Sequence, residues 1–341
     1  MRSSRIRSIC KANAQEIASV ALIACAFVIP LMGDNPLAYS LANQVLIAVT
    51  ATFSVYIMLR MNLLTFAVPT FMAVGGYTAA ICGLRYGITD TIVLAALSFA
   101  VPALLALPLG ALVLRLRGVY FVLVTFVLTE ITELVLFETP GLTGGSNGLV
   151  GMPVVTLFGF ALADSRGVLL VTTGVALLGA IITAVVTSVF RQHFAAIEEN
   201  ELLAQSLGLV VWHYKAFGFL IAAGVSGLAG FALVNMLLTA HPSSFSPLSS
   251  VNYIAYAIIG GKSSMLGSVI GGTLLVVAAD MFSARGEYSQ FLFGLLIVII
   301  VVVAKEGIFG GLTQALRRLM PADRPKDVPS LSASTVTEGQ R

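Results

Sequence analysis

Residues 91–114 read TIVLAALSFAVPALLALPLGALVL, a run of 24 residues without a charged side chain. A helix needs about 20 mostly apolar residues to cross the hydrocarbon core of a bilayer. Similar runs recur along nearly the whole chain of 341 residues, which is 58% hydrophobic and 10% charged. Soluble domains carry about 25% charged residues. The sequence therefore predicts an all-α polytopic membrane protein, and it excludes a soluble enzyme.

Charged residues, Gly and Pro clusters and polar runs divide the chain into about ten membrane-spanning helices, some of them short or broken. Their predicted ranges are 17–32, 37–59, 63–84, 91–114, 119–139, 168–190, 214–238, 246–261, 265–282 and 290–304. The eighth and ninth could instead form one re-entrant element around Gly260 and Gly261. The transmembrane domain, 17–304, lies between an N-terminal segment, 1–16, and a partly disordered tail, 305–341.

The basic residues predict the orientation of these helices, because cytoplasmic loops retain Lys and Arg. With the N-terminus inside, only Arg85, Arg166 and Arg285 of the 19 Lys and Arg residues fall on the outer side. Reversing the protein would reverse this asymmetry. Both the N-terminal segment and the C-terminal tail are therefore predicted to be cytoplasmic.

No pattern in the sequence predicts catalysis, a metal ion or a cofactor. The three cysteines and three histidines lack the spacing of metal ligands. Gly260–Ser264 resembles the end of a phosphate-binding P-loop, but the glycine that the motif needs five residues before Gly261 is replaced by Tyr256. A tight turn or close helix packing explains these glycines better. The net charge of +3 is too small to indicate a nucleic acid partner, so membrane lipid is the expected surrounding.

Small residues and prolines recur inside the predicted helices. Gly224, Gly227 and Gly230 are spaced three apart, and Gly267 with Gly271 forms a GxxxG pair. Such faces allow helix backbones to approach closely, so we expect packing surfaces there. The prolines expected to bend or interrupt their helices are Pro69, Pro102 and Pro108.

The longest interior polar loop, 191–215, contains one strongly patterned segment, FAAIEENELLAQSLG at 194–208. At 3.6 residues per turn it has an apolar side and a polar side. The apolar side comprises Ile197, Leu203, Ala204 and Leu207, and the polar side comprises Glu198, Glu201 and Gln205. An interfacial helix would favour Lys and Arg toward anionic lipid. The acidic face therefore favours a short amphipathic helix that docks to another protein and ends at Gly208.

The same segment resembles part of a known family. Ala196–Glu201, followed by Ala204 and Gly208, resembles the A-I-R-E-N-E-x-x-A-x-x-x-G segment of the LivM-type permeases, membrane subunits of ABC importers for branched-chain amino acids. Further blocks resemble the family in the same order. They are Leu114–Gly118 with Tyr120, Leu142–Gly148, and Gly260 and Gly261 with Gly267 and Gly271. Together the resemblance covers about residues 51–272.

The resemblance implies an inner-membrane permease subunit that is not an enzyme and forms half of the path for branched-chain or related hydrophobic amino acids. Its implied partners are a second, LivH-type permease, two cytoplasmic ABC ATPase subunits and an extracytoplasmic substrate-binding protein. The segment at about 195–208 is then the coupling helix. The ATPase-coupling residues are Ala196, Ile197, Glu199, Asn200, Glu201, Ala204 and Gly208. Transport of urea or short amides by the same family is an alternative.

Two positions depart from the family pattern. Glu198 stands where the family usually has arginine, so an ion pair with the ATPase is expected to be altered or reversed. Asn62–Phe71 aligns with the family's G-Q-L-S-L-G-H-A-A-F stretch and has lost most of its polar and glycine positions. A substrate other than leucine, isoleucine or valine would fit this departure.

Carboxylates occur within the fifth predicted span. Glu130 and Glu133 are three residues apart and share a helix face. A charge at mid-membrane costs about 2.5–3.5 kcal/mol on insertion scales, so both should face protein or water. One hypothesis is that they line the translocation path with Thr65 and Pro69 and hold the ammonium of a zwitterionic substrate. They could instead pair with neighbouring threonines or another subunit, or relay protons in a self-sufficient ion-coupled secondary transporter.

The predicted outer loop, 141–167, is rich in glycine and polar residues near its start. This composition suggests mobility and suits docking of the binding protein. The residues predicted for this contact are Thr143, Gly144, Gly145 and Asn147. Equally, the loop could simply connect two helices.

Overall fold

The computed structural model describes residues 16–26, 36–157, 159–261, 264–283 and 289–303. Its helices are α1 (16–24), α2 (Pro36–Leu59), α3 (Val68–Tyr86), α4 (Thr91–Val113), α5 (Val119–Glu138), α6 (Pro140–Thr143), α7 (Ser165–Val189), α8 (Arg191–Glu199), α9 (Glu201–Ser206), α10 (Val211–Leu237), α11 (Pro247–Gly260), α12 (Met265–Ser283) and α13 (Ser289–Val303). Two short antiparallel strand pairs join β1 (Leu149–Val150) to β4 (Thr239–Ala240) and β2 (Thr156–Leu157) to β3 (Phe160–Ala161).

Within the described ranges, six helices are long and apolar enough to cross a membrane. They are α2, α4, α5, α7, α10 and α12. The structure therefore supports an all-α multi-pass membrane protein, while the total of ten spans and the side of the termini stay predictions. The outer half of the first predicted span, the residues before 16 and those after 303 lie outside the described residues.

The long helices run between two ends of the molecule. The α8–α9 end carries the loop that connects α7 to α10, and the strand end carries the paired strands β1 and β4. Among the described basic residues, only Arg85 and Arg166 lie at the strand end. The others lie at the α8–α9 end, namely Arg60, Arg115, Arg117, Arg191 and Lys215. This distribution agrees with the charge asymmetry on which the predicted orientation rests.

Helix α10 lies at the centre of the bundle and packs against α2, α3, α4 and α7. The predicted glycine face makes this packing possible. A methyl group added at Gly230 would overlap the carbonyl oxygen of Met72, and one added at Gly227 would overlap the carbonyl oxygen of Ser98. Gly224 lies against the ring of Phe99. The prediction that these glycines form packing surfaces is confirmed.

Helices α11 and α12 form an antiparallel hairpin, and whether it makes two spans or one re-entrant element stays open. Methyl groups added at Gly260, Gly267 or Gly271 would overlap backbone atoms of the opposite helix, so the two backbones touch there. Gly261 has a φ of 113°, which allows the turn between them. The glycines thus act in close packing, as predicted. With 14 residues, α11 spans about 21 Å, less than the hydrocarbon thickness.

The predicted start of the third span, residue 63, is wrong because α3 begins at Val68. The preceding residues are not helical. Asn62 has a left-handed φ of 57°, and the Thr65 hydroxyl accepts a hydrogen bond from the Ala67 amide at 3.1 Å. Pro69 lies in the first turn of α3, where its missing N–H costs nothing. Hydropathy cannot detect this break, since the unwound residues are themselves mostly apolar.

The two prolines of α4 act differently from Pro69. Pro102 and Pro108 both lie inside a helix that continues without interruption from Thr91 to Val113. Neither proline interrupts α4, and the prediction that they bend it stays a prediction. Pro102 is buried, and its ring lies close to Gly227 of α10, so the proline contributes to helix packing.

Candidate functional site

The acidic loop segment forms two short helices instead of the single amphipathic helix predicted over 194–208. Helix α8 ends at Glu199, and Asn200 adopts an extended conformation with φ −159° and ψ 106°. The Asn200 side chain accepts a hydrogen bond from the Leu203 amide at 3.0 Å and so caps α9. Asparagine is among the strongest N-cap residues, which explains why a new helix starts here.

The break changes which residues face the protein. Ile197 and Ala204 are buried and pack with Val211, as the predicted apolar side requires. Leu203 and Leu207 were predicted on the same side, yet they are 56% and 80% exposed. That part of the prediction is wrong, because it assumed one continuous helix. We call the exposed Leu202, Leu203 and Leu207 the leucine surface.

Ion pairs hold the opposite side of α8 and α9 to the membrane helices. Glu198 Oε2 lies 2.8 Å from Nη1 of Arg60, directly after α2. Glu201 Oε2 lies 2.7 Å from Nζ of Lys215 in α10, and its other oxygen lies 3.9 Å from Nη2 of Arg117. The Lys215 side chain is only 8% exposed, so its ammonium is shielded from water and pairs with Glu201. Glu198 and Glu201 therefore have partners within this chain, whereas Glu199 is exposed.

A further ion pair links α8 to the start of α1. Glu16 Oε1 lies 2.9 Å from Nη2 of Arg191 and 3.3 Å from the Thr187 hydroxyl. The pair is mostly shielded from solvent, since the Arg191 side chain is 21% exposed and the Glu16 side chain 10%. Ion pairs thus tie the α8–α9 segment to α1, α2 and α10.

Helix α5 exposes most of its surface. Its buried residues are Phe121, Thr125 and Thr129. Glu130 is exposed and Glu133 is half-buried, and neither forms a hydrogen bond or ion pair with the part of the chain that the structure describes. Carboxylates in a membrane-spanning helix are too costly to leave in lipid, so this face must meet protein or water.

The structure does not bring Thr65 and Pro69 to the exposed face of α5. Both side chains are buried inside the chain. Thr65 borders a cavity of about 10 Å³ beside Phe71 and Phe219, which has room for about one water molecule. The four residues predicted to line the path therefore do not surround one cavity within this chain.

The unwound segment before α3 is held by side chains from α5 and α11. The Phe66 amide donates to the Thr125 hydroxyl at 3.1 Å. The Phe66 carbonyl accepts from the hydroxyls of Thr129 at 2.8 Å and Ser250 at 2.6 Å. The two threonines lie about 9–15 Å along α5 from its start at Val119, within the span. Non-helical backbone at such depth needs partners of this kind, because lipid supplies none.

The glycine-rich loop at the strand end is ordered by specific contacts. Thr143 is buried, and its hydroxyl donates to the Leu136 carbonyl at 2.6 Å. Gly144 and Gly145 adopt positive φ angles of 77° and 59°, and Gly145 is buried. Of the predicted docking residues, Asn147 has an exposed side chain. Thr143 and Gly145 act as internal supports of the loop.

Two further contacts join this loop to the rest of the strand end. His241, next to β4, places Nε2 3.0 Å from the Ser146 carbonyl oxygen. Its Nδ1 accepts from the Ser243 amide at 3.2 Å, so Nε2 carries the proton and donates to Ser146. Arg85 donates to the carbonyl oxygens of Gly141 and Leu142.

The chain matches a family model described as the permease component of branched-chain amino acid transport systems, over residues 37–301. The chain belongs to this family. The matched range contains α2–α12 and most of α13, and therefore every site described above except the Glu16 contact. The branched-chain permease family is a class of transport proteins rather than of enzymes.

Individual relatives agree with this assignment. One relative is the high-affinity branched-chain amino acid transport system permease protein LivM of Salmonella typhimurium, to which the chain is 29% identical over 289 residues. The chain is also 28% identical over 291 residues to the Escherichia coli protein of the same name. Each alignment covers 78% of this chain and 65% of the relative, so the chain spans about two thirds of their length. A probable LivH permease protein from Methanocaldococcus jannaschii is 25% identical over 178 residues, which is 48% of this chain and 54% of the relative. No solved structure matches the chain.

Sequence reasoning missed several residues that the structure brings to the site. Arg60 and Lys215 were counted only among the basic residues that predict the orientation. In the structure each of them binds a glutamate of the acidic segment. Ser250 was not singled out. The opposite signs of Arg60 and Glu198 were a usable signal, but 138 residues separate them in the chain.

Among the residues that the structure describes, no three His, Cys, Asp or Glu side chains form a group that could hold a metal ion.

Proposed function

We propose that this chain is the permease subunit of an ABC importer in the inner membrane and forms half of the path for branched-chain or related hydrophobic amino acids. A second, LivH-type permease forms the other half. Two cytoplasmic ATPase subunits drive transport, and an extracytoplasmic binding protein delivers the substrate. The observation that carries the proposal is the α8–α9 segment, which is tied to the membrane helices on one side and exposes the leucine surface on the other.

Coupling in this proposal works through the ion pairs of α8 and α9. An ATPase that grips the leucine surface moves α8 and α9, and these carry α2 through Arg60 and α10 through Lys215. The end of α2 leads into the unwound segment that contains Phe66. Because α5 and α11 both bind the Phe66 backbone, the movement reaches two further helices. Such helix movement is what alternating access requires.

The substrate path in this proposal runs along the exposed face of α5. Glu130 and Glu133 offer negative charge there, and an amino acid carries a positive ammonium. The second permease covers the same face, which removes the two carboxylates from lipid. At the strand end, Asn147 is the predicted docking residue with an exposed side chain, and we assign the binding protein to the loop around it.

The decisive experiment replaces a residue of the leucine surface and measures transport by the reconstituted complex with its ATPases, second permease and binding protein. Leu203→Asp should reduce leucine uptake and substrate-stimulated ATP hydrolysis at least tenfold, because a desolvated charge weakens the contact with the ATPase. Membrane insertion should be unchanged, since the Leu203 side chain is 56% exposed in this chain.

Phe160→Asp is the matched control. Phe160 is 76% exposed and lies in β3, at the opposite end of α7 from α8. Its replacement should leave the amount of ATPase that co-purifies with this chain unaltered, whereas Leu203→Asp should lower that amount. Full uptake by the Leu203→Asp complex would overturn the proposal. So would leucine uptake by this chain alone under an ion gradient, which is the behaviour of a secondary transporter. Competition by isoleucine, valine, urea and acetamide assigns the substrate class.

A further inference from the structure

A cavity of about 500 Å³ lies between α2, α10, α11 and α12. Its position follows from how the helices pack. Helices α11 and α12 touch backbone to backbone around Gly260 and Gly271, whereas the cavity lies between their opposite ends. Leu233 of α10, four residues before the end of that helix, also lines it, so the cavity belongs to the strand-end half of the protein.

Polar side chains without protein partners meet in this cavity. Gln44 of α2, Asn252 of α11 and Asp280 of α12 all line it. Within the described part of the chain, none of the three side chains forms a hydrogen bond or an ion pair. Polar groups on membrane-spanning helices are costly unless they find a partner. Gln44 and Asp280 are exposed and Asn252 is half-buried in this chain, so a polar ligand that enters from the open side of the cavity can reach all three.

The arrangement of these groups indicates the charge of the ligand. Asp280 is the only charged side chain among the described lining residues, so a cation is favoured on the α12 side. On the α11 side, Ser249 and Asn252 can donate hydrogen bonds, and both lie in the first two turns of that helix. The start of a helix favours negative charge. A molecule with a positive and a negative group a few ångströms apart matches both sides.

The remaining walls are apolar. Ile47 of α2, Leu233 of α10 and Val276 of α12 supply aliphatic surface, and the rings of Tyr253 and Tyr256 lie beside them. These two rings pack edge to face with centroids 6.2 Å apart. An aliphatic group attached to the zwitterion therefore has a surface against which to pack.

We propose that this cavity binds a zwitterion with a primary ammonium, which pairs with Asp280 while the anionic group faces the start of α11. Two sources carry this chemistry: an aliphatic amino acid and the phosphoethanolamine head group of a lipid. The amino-acid form deepens the proposed transport function and rests on it, whereas the lipid form is independent of transport.

The test uses the full chain in nanodiscs, without ATP or partner subunits. Binding of labelled L-leucine is measured with two competitors, 3-methylbutylamine, which lacks the carboxylate, and 4-methylpentanoate, which lacks the ammonium. Loss of one charge-assisted contact corresponds to about tenfold to a hundredfold in affinity. Asp280→Asn should weaken leucine binding by that factor, Asp280→Glu should restore most of it, and the amine should compete better than the acid.

Glu138→Gln is the matched control, because Glu138 is an exposed carboxylate at the end of α5 and does not line the cavity. A parallel arm compares nanodiscs of phosphatidylethanolamine with nanodiscs of phosphatidylcholine, and native mass spectrometry counts the lipids retained by the chain. Selective loss of phosphatidylethanolamine from Asp280→Asn assigns the lipid head group, and selective loss of leucine binding assigns the amino acid.

The proposal is overturned if Asp280→Asn changes neither leucine binding nor phosphatidylethanolamine retention. Equal competition by the acid and the amine would also overturn it. ATP-driven uptake by the complete complex is measured separately. If leucine binding depends on Asp280 but the complex shows no uptake, the transport function is refuted and the binding site stands. If the complex shows uptake but Asp280→Asn binds leucine normally, the binding site is refuted and the transport function stands.

Discussion

Replacing Thr125 with valine should destabilise the protein more than the same change at Thr129, although both threonines bind the backbone of Phe66. The Phe66 amide has only the Thr125 hydroxyl as a partner among the described residues. The Phe66 carbonyl has two partners, Thr129 and Ser250. Valine keeps the volume of threonine and removes only the hydroxyl, so the two positions compare hydrogen bonding rather than packing.

The expected magnitudes follow from these partners. Thr125→Val leaves a shielded amide without an acceptor, which costs about 1–3 kcal/mol of unfolding free energy. Thr129→Val leaves Ser250 on the carbonyl but also removes the partner of the buried Thr70 hydroxyl, which lies 2.9 Å from that of Thr129. All these changes are therefore made in a protein that carries Thr70→Val. In that background Thr129→Val should cost about 0.6 kcal/mol, the average for such bonds in membrane proteins. Thr129→Val combined with Ser250→Ala removes both partners. The double variant should therefore exceed the sum of the single variants by about 1 kcal/mol or more.

Equilibrium unfolding of the purified chain in detergent micelles measures these differences. Thr132→Val is the matched control on the same helix, because the Thr132 hydroxyl donates only to the Leu128 carbonyl of α5 at 2.8 Å. Its unfolding free energy should stay within about 0.5 kcal/mol of the protein that carries Thr70→Val alone. If Thr125→Val behaved like Thr132→Val, or if the double variant were simply additive, the hydroxyls would not support the unwound segment.

Three further sets of substitutions test the packing, the ion pairs and the loop at the strand end. Gly230→Ala should lower the unfolding free energy by about 1–3 kcal/mol or more, because the added methyl overlaps a carbonyl of α3. Gly174→Ala has no atom within 4 Å of the added methyl and should be neutral or slightly stabilising, so equal effects would contradict the packing argument. Arg60→Glu and Glu198→Arg should each lower uptake by the complete complex at least tenfold. Since the double reversal re-forms the pair, it should restore most of the uptake, and a double variant as poor as either single one would reject the pairing. His241→Ala removes the hydrogen bond to the loop after α6 and should speed amide exchange there about two- to tenfold, whereas unchanged exchange would show that the histidine does not hold it.

The sequence predicted the bounds of a helix correctly where the whole apolar run is helical. The predicted span 91–114 and the observed α4, Thr91–Val113, differ by one residue, because Asp90 caps the helix and its side chain accepts from the Ile92 amide at 2.8 Å. The third span failed at its start for the opposite reason. Leu63, Leu64 and Phe66 are apolar, yet their backbone is not helical, and hydroxyls from distant helices bind the backbone of Phe66.

The acidic segment at the candidate site was likewise predicted correctly only in part. Its composition indicated docking to another protein, and a pattern of 3.6 residues correctly placed Ile197 and Ala204 inside. The pattern could not show that Asn200 starts a new helix, which exposes Leu203 and Leu207. Prediction from periodicity fails at such a point because one capping side chain starts a helix with a new direction. The residues of that helix then face other sides than one continuous helix would give them.

Amino-acid composition and local pattern were sufficient to identify a multi-pass helical membrane protein and the resemblance to its family, because a bilayer selects long apolar helices whatever their arrangement. The folded chain alone revealed which polar side chains have internal partners, as Glu198 and Glu201 do, and which have none among the described residues, as Glu130 and Asp280. The physical reason is that pairing depends on distances between residues far apart in the chain, and those distances are set by how the helices pack.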